Sequence, residues 1–179
     1  MKLILVTGGV RSGKSRFAEE LVAAETESVL YVATGQAWDD ESANRIREHR
    51  LRRPAHWGLL EIKDSLAEIM QIAGDNQGVL LDCLSGWISR KLMELPEEKL
   101  RDEEISRQLH HEIGQLLENA RTFHGTMVIV TNEVGLGGVA LTPLGRWFAD
   151  VLGEANQQMA RHADEVYAVM AGIPWRLKG

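Results

Sequence analysis

A glycine-rich stretch near the amino terminus has the residue types and spacing to hold phosphate. Its letters, GGVRSGKS, residues 8–15, fit the pattern G-x-x-x-x-G-K-[ST] and follow a short hydrophobic run. Glycine permits turns and close approaches that a side chain forbids, and N–H groups at a helix N-terminus bind anions. Lys14 is placed to reach the β- and γ-phosphates, and the Ser15 hydroxyl to ligate Mg²⁺. The residues expected to contact nucleotide here are Gly8, Gly9, Val10, Arg11, Ser12, Gly13, Lys14 and Ser15.

A carboxylate at the end of another hydrophobic run complements this loop. Asp82 ends the letters VLLD and directly precedes the only cysteine, Cys83. Carboxylate oxygens are hard ligands that suit Mg²⁺, which also keeps waters and substrate phosphates in its shell. We therefore predict that Ser15 and Asp82 are the protein ligands of Mg²⁺, and that the chain binds a nucleoside triphosphate.

A basic segment, RIREHRLRRPAHW, residues 45–57, surrounds His49 with five arginines. At 3.6 residues per turn, Arg45, His49 and Arg52 share one face of a helix. The surrounding cations disfavour the imidazolium form and keep the ring neutral and nucleophilic. Such an imidazole can attack phosphorus while guanidinium groups hold the departing pyrophosphate. The alternative interpretation is a solvated, charged helix end.

These groups need a scaffold that brings the ends of hydrophobic runs together. Short β-rich runs alternate with stretches of helical periodicity, which predicts βαβ units and a mostly parallel sheet. Ligands of such sheets bind beyond the carboxyl ends of the strands, where the glycine-rich loop and Asp82 lie. The predicted strands are Leu3–Thr7, Val29–Ala33, Val79–Asp82, Met127–Thr131 and Val166–Met170. The predicted helices are Lys14–Ala24, Asp39–Leu51, Asp64–Ala73, Gly86–Glu94, Glu97–Ala120 and Thr142–Arg161.

Length and composition indicate an ordinary soluble protein of one domain, residues 1–179. The chain has 44% hydrophobic and 26% charged residues, as globular proteins do. Its net charge of −6 argues against broad binding to nucleic acid or to an anionic membrane. No run of apolar residues is long enough to span a bilayer. A single cysteine excludes an internal disulfide, which fits a reducing cytoplasm.

Several segments together resemble one enzyme family. The letters ILVTGGVRSGKS, YVATGQAWDDE, RIREHRLRRPAHW, LLDCLSGWIS and VIVTNEVGLG follow one another in that order, and NQQMARHADEVYAVMAGIP comes late in the chain. They resemble the bifunctional adenosylcobinamide kinase/adenosylcobinamide-phosphate guanylyltransferases of cobalamin biosynthesis. The block H-R-x-x-R-P-x-x-W after a P-loop is the specific part of the likeness. After TNEVGLG the chain has Gly138, Val139 and Ala140, where the family usually has Ile-Val-Pro.

The resemblance implies a fold, an assembly and two reactions. The fold is the RecA-like P-loop NTPase, an α/β three-layer sandwich with a mostly parallel central sheet, assembled as a homotrimer. The γ-phosphoryl group of ATP or GTP goes to the aminopropanol hydroxyl of a corrinoid, adenosylcobinamide. A histidine then takes GMP from GTP and passes it to the phosphorylated corrinoid, which gives adenosyl-GDP-cobinamide. Mg²⁺ accompanies the nucleotide.

The resemblance also implies site residues by position. His49, the histidine directly before the R-x-x-R-P run, is the residue that becomes guanylylated, and Lys14 belongs to the catalytic set. Besides the glycine-rich loop, the stretches that match nucleotide-contacting positions are Ala33, Thr34, Gly35, Arg50, Leu51, Arg52, Arg53, Glu61 and Asp82.

Two other functions remain open from the sequence. In a small-molecule kinase with a single activity, His49 would only help to bind phosphate. In a nucleotide-binding regulator, turnover would be negligible. Neither function needs a neutral imidazole among arginines, so this segment distinguishes them from the bifunctional enzyme.

Overall fold

A single seven-stranded sheet forms the centre of the molecule. The computed structural model describes residues 1–35, 47, 51, 53–62 and 64–179. Among these residues the strand order is β3-β2-β4-β5-β1-β6-β7, and only β7 is antiparallel to its neighbour. The strands are β1 Lys2–Gly8, β2 Val29–Ala33, β3 Gly58–Glu61, β4 Gly78–Asp82, β5 Thr126–Val130, β6 Glu165–Met170 and β7 Ile173–Lys178.

Helices cover both faces of this sheet. Within the described residues the α-helices are α1 Lys14–Glu25, α2 Glu68–Ala73, α3 Leu84–Met93, α4 Glu103–Ala120 and α5 Pro143–His162. Short 3₁₀ turns lie at Glu97–Lys99 and Gly135–Gly137. Side chains of α1 pack in one hydrophobic cluster, and those of α2 to α5 pack in the other. The result is the predicted three-layer α/β sandwich.

The pleat of β1 explains why the strand sequences are hydrophobic almost without interruption. Leu3 and Leu5 belong to the cluster under α2 to α5, whereas Ile4 and Val6 belong to the cluster under α1. Successive side chains of a strand point to opposite faces, so a sheet covered on both sides needs apolar residues at every position. The five predicted strands are confirmed, with each end within one residue.

The parallel register gathers the predicted site residues at one edge of the sheet. Asp82 of β4 stands level with Ala33 of β2 and with Val130 of β5, and Val130 is level with Val6 of β1. Glu61 ends β3 beside Ala33. The carboxyl ends of β1 to β5 therefore meet, as expected for a parallel sheet that binds a ligand at its strand ends.

Two strands at the sheet margins are absent from the sequence prediction. The β3 strand has only four residues, GLLE, and most of them are exposed. The β7 strand, IPWRLK, is exposed along its whole length and contains a proline, a residue that sheets tolerate mainly at their edges. Neither segment is a continuous buried run, so hydrophobic periodicity could not reveal it.

The helix predicted over Glu97–Ala120 is wrong in its first part. A 3₁₀ turn ends at Lys99, and Arg101 has a positive φ of 64°. The Asp102 side chain then accepts a hydrogen bond from the N–H of Glu104 and caps α4, as aspartate often does at a helix start.

Of two other predicted helices, one begins later than predicted and the other falls mostly outside the described residues. The helix predicted from Asp64 begins only at Glu68. The helix predicted over Asp39–Leu51 lies outside the described residues, apart from Arg47 and Leu51. Across the part of the chain that the structure describes, no helix has both the length and the apolar character to cross a membrane.

Candidate nucleotide-binding site

The glycine-rich loop connects the end of β1 to the start of α1, as the motif requires. A Cβ atom on Gly8 would lie 2.5 Å from the carbonyl oxygen of Val169 and 2.6 Å from the Ser12 Oγ, so a side chain does not fit there. Gly13 has a φ of 92°, in the left-handed region that favours glycine. The N–H of Gly172 donates to the Ser12 carbonyl at 2.8 Å. The loop is thus held in place by the β6–β7 turn.

The first turn of α1 carries positive charge and contains no acidic residue. None of the described side chains caps its N-terminus at Gly13. Lys14 Nζ donates to the carbonyl of Gly9 at 3.1 Å, across the loop. Burial lowers the pKa of Lys14, while the nearby Cys83 and Asp82 act in the opposite direction. A helix N-terminus and an ammonium group that point to one place favour an anion there.

The predicted metal-binding pair lies together beneath the loop. Ser15 Oγ donates to Asp82 Oδ1 at 3.2 Å, although β5 separates β1 from β4 in the sheet. A hydroxyl and a carboxylate are the oxygen donors that Mg²⁺ accepts, with waters and phosphates completing its shell. The residues present therefore fit the ion predicted from the sequence.

A tyrosine that sequence reasoning missed holds the other oxygen of Asp82. Tyr31 of β2 is buried, and its hydroxyl donates to Asp82 Oδ2 at 2.8 Å. Burial, and next the charge of Asp82, raise the pKa of Tyr31 far above its ordinary value, so the phenol stays protonated and acts as the donor. A signal existed in the sequence, because a tyrosine inside a buried strand must find a partner for its hydroxyl.

The basic segment reaches this site through Arg53. The Arg53 guanidinium carbon lies 4.3 Å from the centre of the Tyr31 ring, in cation–π contact. Arg53 Nε is shielded from solvent and has no hydrogen-bond acceptor among the described residues. Leu51, in contrast, is exposed. His49, Arg50 and Arg52 lie outside the described residues.

The stretch of Ala33, Thr34 and Gly35 is fixed to the strand end that carries Asp82. Thr34 Oγ1 donates to the carbonyl of Cys83 at 2.7 Å and accepts from the Cys83 N–H at 3.0 Å. The carbonyl of Ala33 accepts from the N–H of Ile62 at 2.9 Å. This turn therefore has hydrogen bonds to the ends of both neighbouring strands.

Comparison with known proteins identifies the family. The family model of cobinamide kinase/cobinamide phosphate guanyltransferase matches residues 4–177. The chain belongs to this family. It is 40% identical over 181 residues to the bifunctional adenosylcobalamin biosynthesis protein CobU of Escherichia coli. The aligned part covers 98% of this chain and 99% of that protein.

Other similarities agree with this assignment. CobU of Salmonella typhimurium is 40% identical over 182 residues, covering 98% of this chain and 99% of that protein. CobP of Pseudomonas aeruginosa is 39% identical over 176 residues, covering 98% and 96%. Among solved structures, a KaiC-like protein of Pyrococcus horikoshii superposes with a TM-score of 0.52 at 13% identity, covering 93% of this chain and 70% of that one. The last likeness concerns the fold alone, and with the sheet order it confirms the RecA-like P-loop architecture.

A buried arginine supports the site in this member of the kinase/guanyltransferase family. Arg90 of α3 is 5% exposed, and its guanidinium donates to the carbonyl of Ile62 at 2.6 Å and to that of Thr34 at 3.5 Å. It therefore connects the segments that follow β2 and β3, beside Ala33 and Glu61. Sequence reasoning missed Arg90, since an arginine in a helix is usually exposed.

Cys83, which follows the predicted metal ligand Asp82, is enclosed by its neighbours. Cys83 Sγ lies 3.0 Å from Ser85 Oγ, and burial, followed by the Asp82 charge, raises the pKa of the Cys83 thiol. A protonated thiol is a poor nucleophile. The cysteine therefore packs beside the site, and its buried thiol is a weaker nucleophile than an exposed one.

Proposed function

We propose that the protein catalyses both reactions of its family, corrinoid phosphorylation and GMP transfer. The contact of Ser15 with Asp82 beneath the glycine-rich loop carries this proposal, in a chain whose relatives are named bifunctional adenosylcobalamin biosynthesis proteins. The substrates are ATP or GTP and adenosylcobinamide. The products are adenosylcobinamide phosphate and then adenosyl-GDP-cobinamide.

In the kinase reaction, the aminopropanol hydroxyl attacks the γ-phosphorus. The bond to the β,γ-bridging oxygen breaks, and the hydroxyl proton is released as the nucleoside diphosphate leaves. Lys14 and the N-terminus of α1 neutralise charge on the transferred phosphoryl group, which is the main catalytic task in this chemistry. Ser15 and Asp82 would hold Mg²⁺, which when bound supplies further positive charge to the β- and γ-oxygens.

In the GMP transfer, a ring nitrogen of His49 attacks the α-phosphorus of GTP. A P–N bond forms, the bond to the α,β-bridging oxygen breaks, and pyrophosphate leaves with that electron pair. A phosphate oxygen of the phosphorylated corrinoid then attacks the same phosphorus and displaces the imidazole. Arg50, Arg52 and Arg53 are assigned to the departing pyrophosphate, because guanidinium forks match phosphate oxygens.

The test of this proposal is covalent labelling of the protein by GTP. Incubation with α-labelled GTP should give a labelled chain, whereas γ-labelled GTP should give none by this route. A P–N bond to imidazole is labile to acid and comparatively stable to alkali, unlike a phosphoester. The label should be absent in His49→Ala and present in His56→Ala, a matched control in the same basic segment.

The same experiment separates the two alternatives. A kinase with one activity would phosphorylate adenosylcobinamide and take no label from α-labelled GTP. A regulator would bind nucleotide and do neither. Equal labelling of His49→Ala and wild type would place the nucleophile elsewhere.

We further infer that the protein is a homotrimer, as the family resemblance implies. The described surface offers one feature in favour of an assembly. The outer strand, β7, exposes Ile173, Trp175 and Leu177 side by side with the exposed Met170. Neighbouring apolar side chains of this size on a protein surface commonly mark an interaction site.

A further inference from the structure

Tyr31 lies between Asp82, which contacts the start of α1, and Arg53 of the basic segment. Its hydroxyl contacts Asp82, which contacts Ser15 of α1, while its ring face contacts Arg53. The side chain is 4% exposed and packs in the cluster under α1. A single buried ring therefore connects two groups that the sequence separates by 29 positions, Arg53 and Asp82.

The hydroxyl of Tyr31 orients the Asp82 carboxylate. With Oδ2 accepting from Tyr31 at 2.8 Å, the plane of the carboxylate is fixed and Oδ1 is turned towards Ser15, 3.2 Å away. Partners that orient a metal-binding carboxylate contribute about 10- to 100-fold to metal affinity or activity. The orientation of Asp82 thus depends on a residue of the neighbouring strand.

The ring of Tyr31 orients the Arg53 guanidinium. At 4.3 Å from the ring centre, the guanidinium contacts the aromatic face. The ring carries no net negative charge, so this contact does not offset the positive charge as a carboxylate would. Arg53 Nε has no acceptor within the described part of the chain. A stacked, charged and incompletely hydrogen-bonded guanidinium is suited to an anionic ligand.

We infer that Tyr31 is a positioning residue with two separable roles: its hydroxyl sets Asp82 for the metal–triphosphate complex, and its ring sets Arg53 for the nucleotide phosphates. The second role rests on the proposed function, which assigns Arg53 to the pyrophosphate portion of GTP. No contact of Tyr31 itself with substrate is required.

The roles can be separated by binding measurements without turnover. The ligand is a GTP analogue in which a methylene group replaces the α,β-bridging oxygen, so that it binds without transferring GMP. Its dissociation constant is measured by calorimetry with and without Mg²⁺ for wild type, Tyr31→Phe, Tyr31→Leu and Arg53→Met. Tyr167→Phe is the matched control, since the Tyr167 hydroxyl also donates to a carboxylate, that of Glu165, at 2.7 Å.

The expected pattern differs between the variants. Tyr31→Phe should lower the gain in affinity that Mg²⁺ provides by about tenfold, and without Mg²⁺ it should bind like wild type. Arg53→Met should weaken binding about tenfold both with and without Mg²⁺. Tyr31→Leu should show both losses, and Tyr167→Phe neither. Because Tyr31→Leu leaves a cavity, its folding is checked by thermal unfolding; if it does not fold, Tyr31→Phe and Arg53→Met decide.

Two results would overturn the inference. One is a Tyr31→Phe protein in which Mg²⁺ raises the affinity for the analogue as much as it does in Tyr167→Phe. The other is an Arg53→Met protein, or a folded Tyr31→Leu protein, that binds the analogue without Mg²⁺ as wild type does. A failure of the proposed function gives a different result, because wild type would then take no GMP label from GTP while the affinity measurements still test Tyr31.

Discussion

At the scale of single residues, the phosphate-binding loop depends on one side chain that bends back over it. Lys14 lies at the first position of α1, and its ammonium group is held by the Gly9 carbonyl within the loop. A bound phosphate can replace that carbonyl as the partner of the ammonium group. The position is therefore filled by a cation before the nucleotide arrives, which reduces the reorganisation that the reaction requires.

We predict that Lys14→Ala lowers kinase turnover by roughly 10³-fold, because the transferring phosphoryl group loses a positioned cation. The measurement is the rate of adenosylcobinamide phosphorylation at saturating nucleotide. The unfolding midpoint should be close to that of wild type, since the ammonium group makes its one described hydrogen bond at the surface of the loop. Near-normal turnover in a folded Lys14→Ala protein would contradict the assignment of the loop.

At the scale of secondary-structure elements, a buried cation of α3 holds two strand ends. The Arg90 guanidinium donates to carbonyl groups of the residues that follow β2 and β3, Thr34 and Ile62. Both acceptors lie close to predicted nucleotide contacts, Ala33 and Glu61. Removing the guanidinium would leave buried carbonyl groups without this donor, and such groups cost free energy when unpaired.

We predict that Arg90→Leu lowers the free energy of unfolding by about 2–4 kcal/mol. Denaturant unfolding monitored by tryptophan fluorescence gives the value. Arg107→Leu is the matched control, because Arg107 is exposed and pairs with Glu104 one turn away; an exposed pair of this kind is worth about 0.5 kcal/mol. Similar losses for the two variants would show that Arg90 does not hold the strand ends.

A second element-scale contact joins three strands at the opposite edge of the sheet. Glu165 begins β6, where its carboxylate lies 3.2 Å from Lys2 of β1 and 3.4 Å from Arg176 of β7. The hydroxyl of Tyr167 also donates to it at 2.7 Å. These partners, the Tyr167 hydrogen bond first, lower the pKa of Glu165 in the folded protein.

The lowered pKa of Glu165 gives a prediction about pH. The stabilisation is complete above the unfolded-state pKa of about 4.3 and is lost as the pH falls through the lower folded-state value. Glu165→Gln should therefore reduce the free energy of unfolding at pH 7 by up to about 1 kcal/mol, and the difference from wild type should disappear near pH 2. Glu118→Gln, which removes an exposed carboxylate paired with Arg121, is the control. An equal difference at both pH values would contradict the role of ionised Glu165.

At the scale of the whole molecule, the order of the strands assembles the site. The β5 strand lies between β1 and β4, so the glycine-rich loop and Asp82 start one strand apart, yet α1 brings Ser15 within 3.2 Å of Asp82. The β2 and β3 strands continue the sheet beyond β4 and supply Tyr31 and the turn at Ala33. The basic segment joins these two strands in the sequence, and its Arg53 lies beside Tyr31.

The proposed homotrimer is tested by mass in solution. Light scattering at micromolar concentration should give three times the chain mass of 20.0 kDa. If β7 takes part in the interface, Trp175→Lys should shift the mass distribution towards smaller species, because it places a charge on an apolar face. Exposed Arg16, on α1, gives the matched control Arg16→Lys. A wild-type mass near that of one chain would contradict the assembly.

The sequence by itself determined much of the fold and one part of the site. Continuous hydrophobic runs reveal strands buried on both faces, and a fixed spacing of glycines, lysine and serine reveals a loop that binds phosphate, because these signals are local. The contact of Ser15 with Asp82 could also be expected, since Asp82 ends one predicted parallel strand and Ser15 lies just after the loop that follows another. The roles of His49, Arg50 and Arg52 stay predictions, as does the organisation in one domain.

Other features were decided only by the tertiary structure. The marginal strands β3 and β7 exist because neighbouring strands offer hydrogen bonds to them, and their own sequences carry no buried pattern. The partnerships of Tyr31 with Asp82 and Arg53, and of Arg90 with two strand ends, join residues far apart in the chain. Such contacts depend on strand order and register. The type of a side chain limits which partners it can bind. Which of those partners it contacts depends on the packing of the whole sheet.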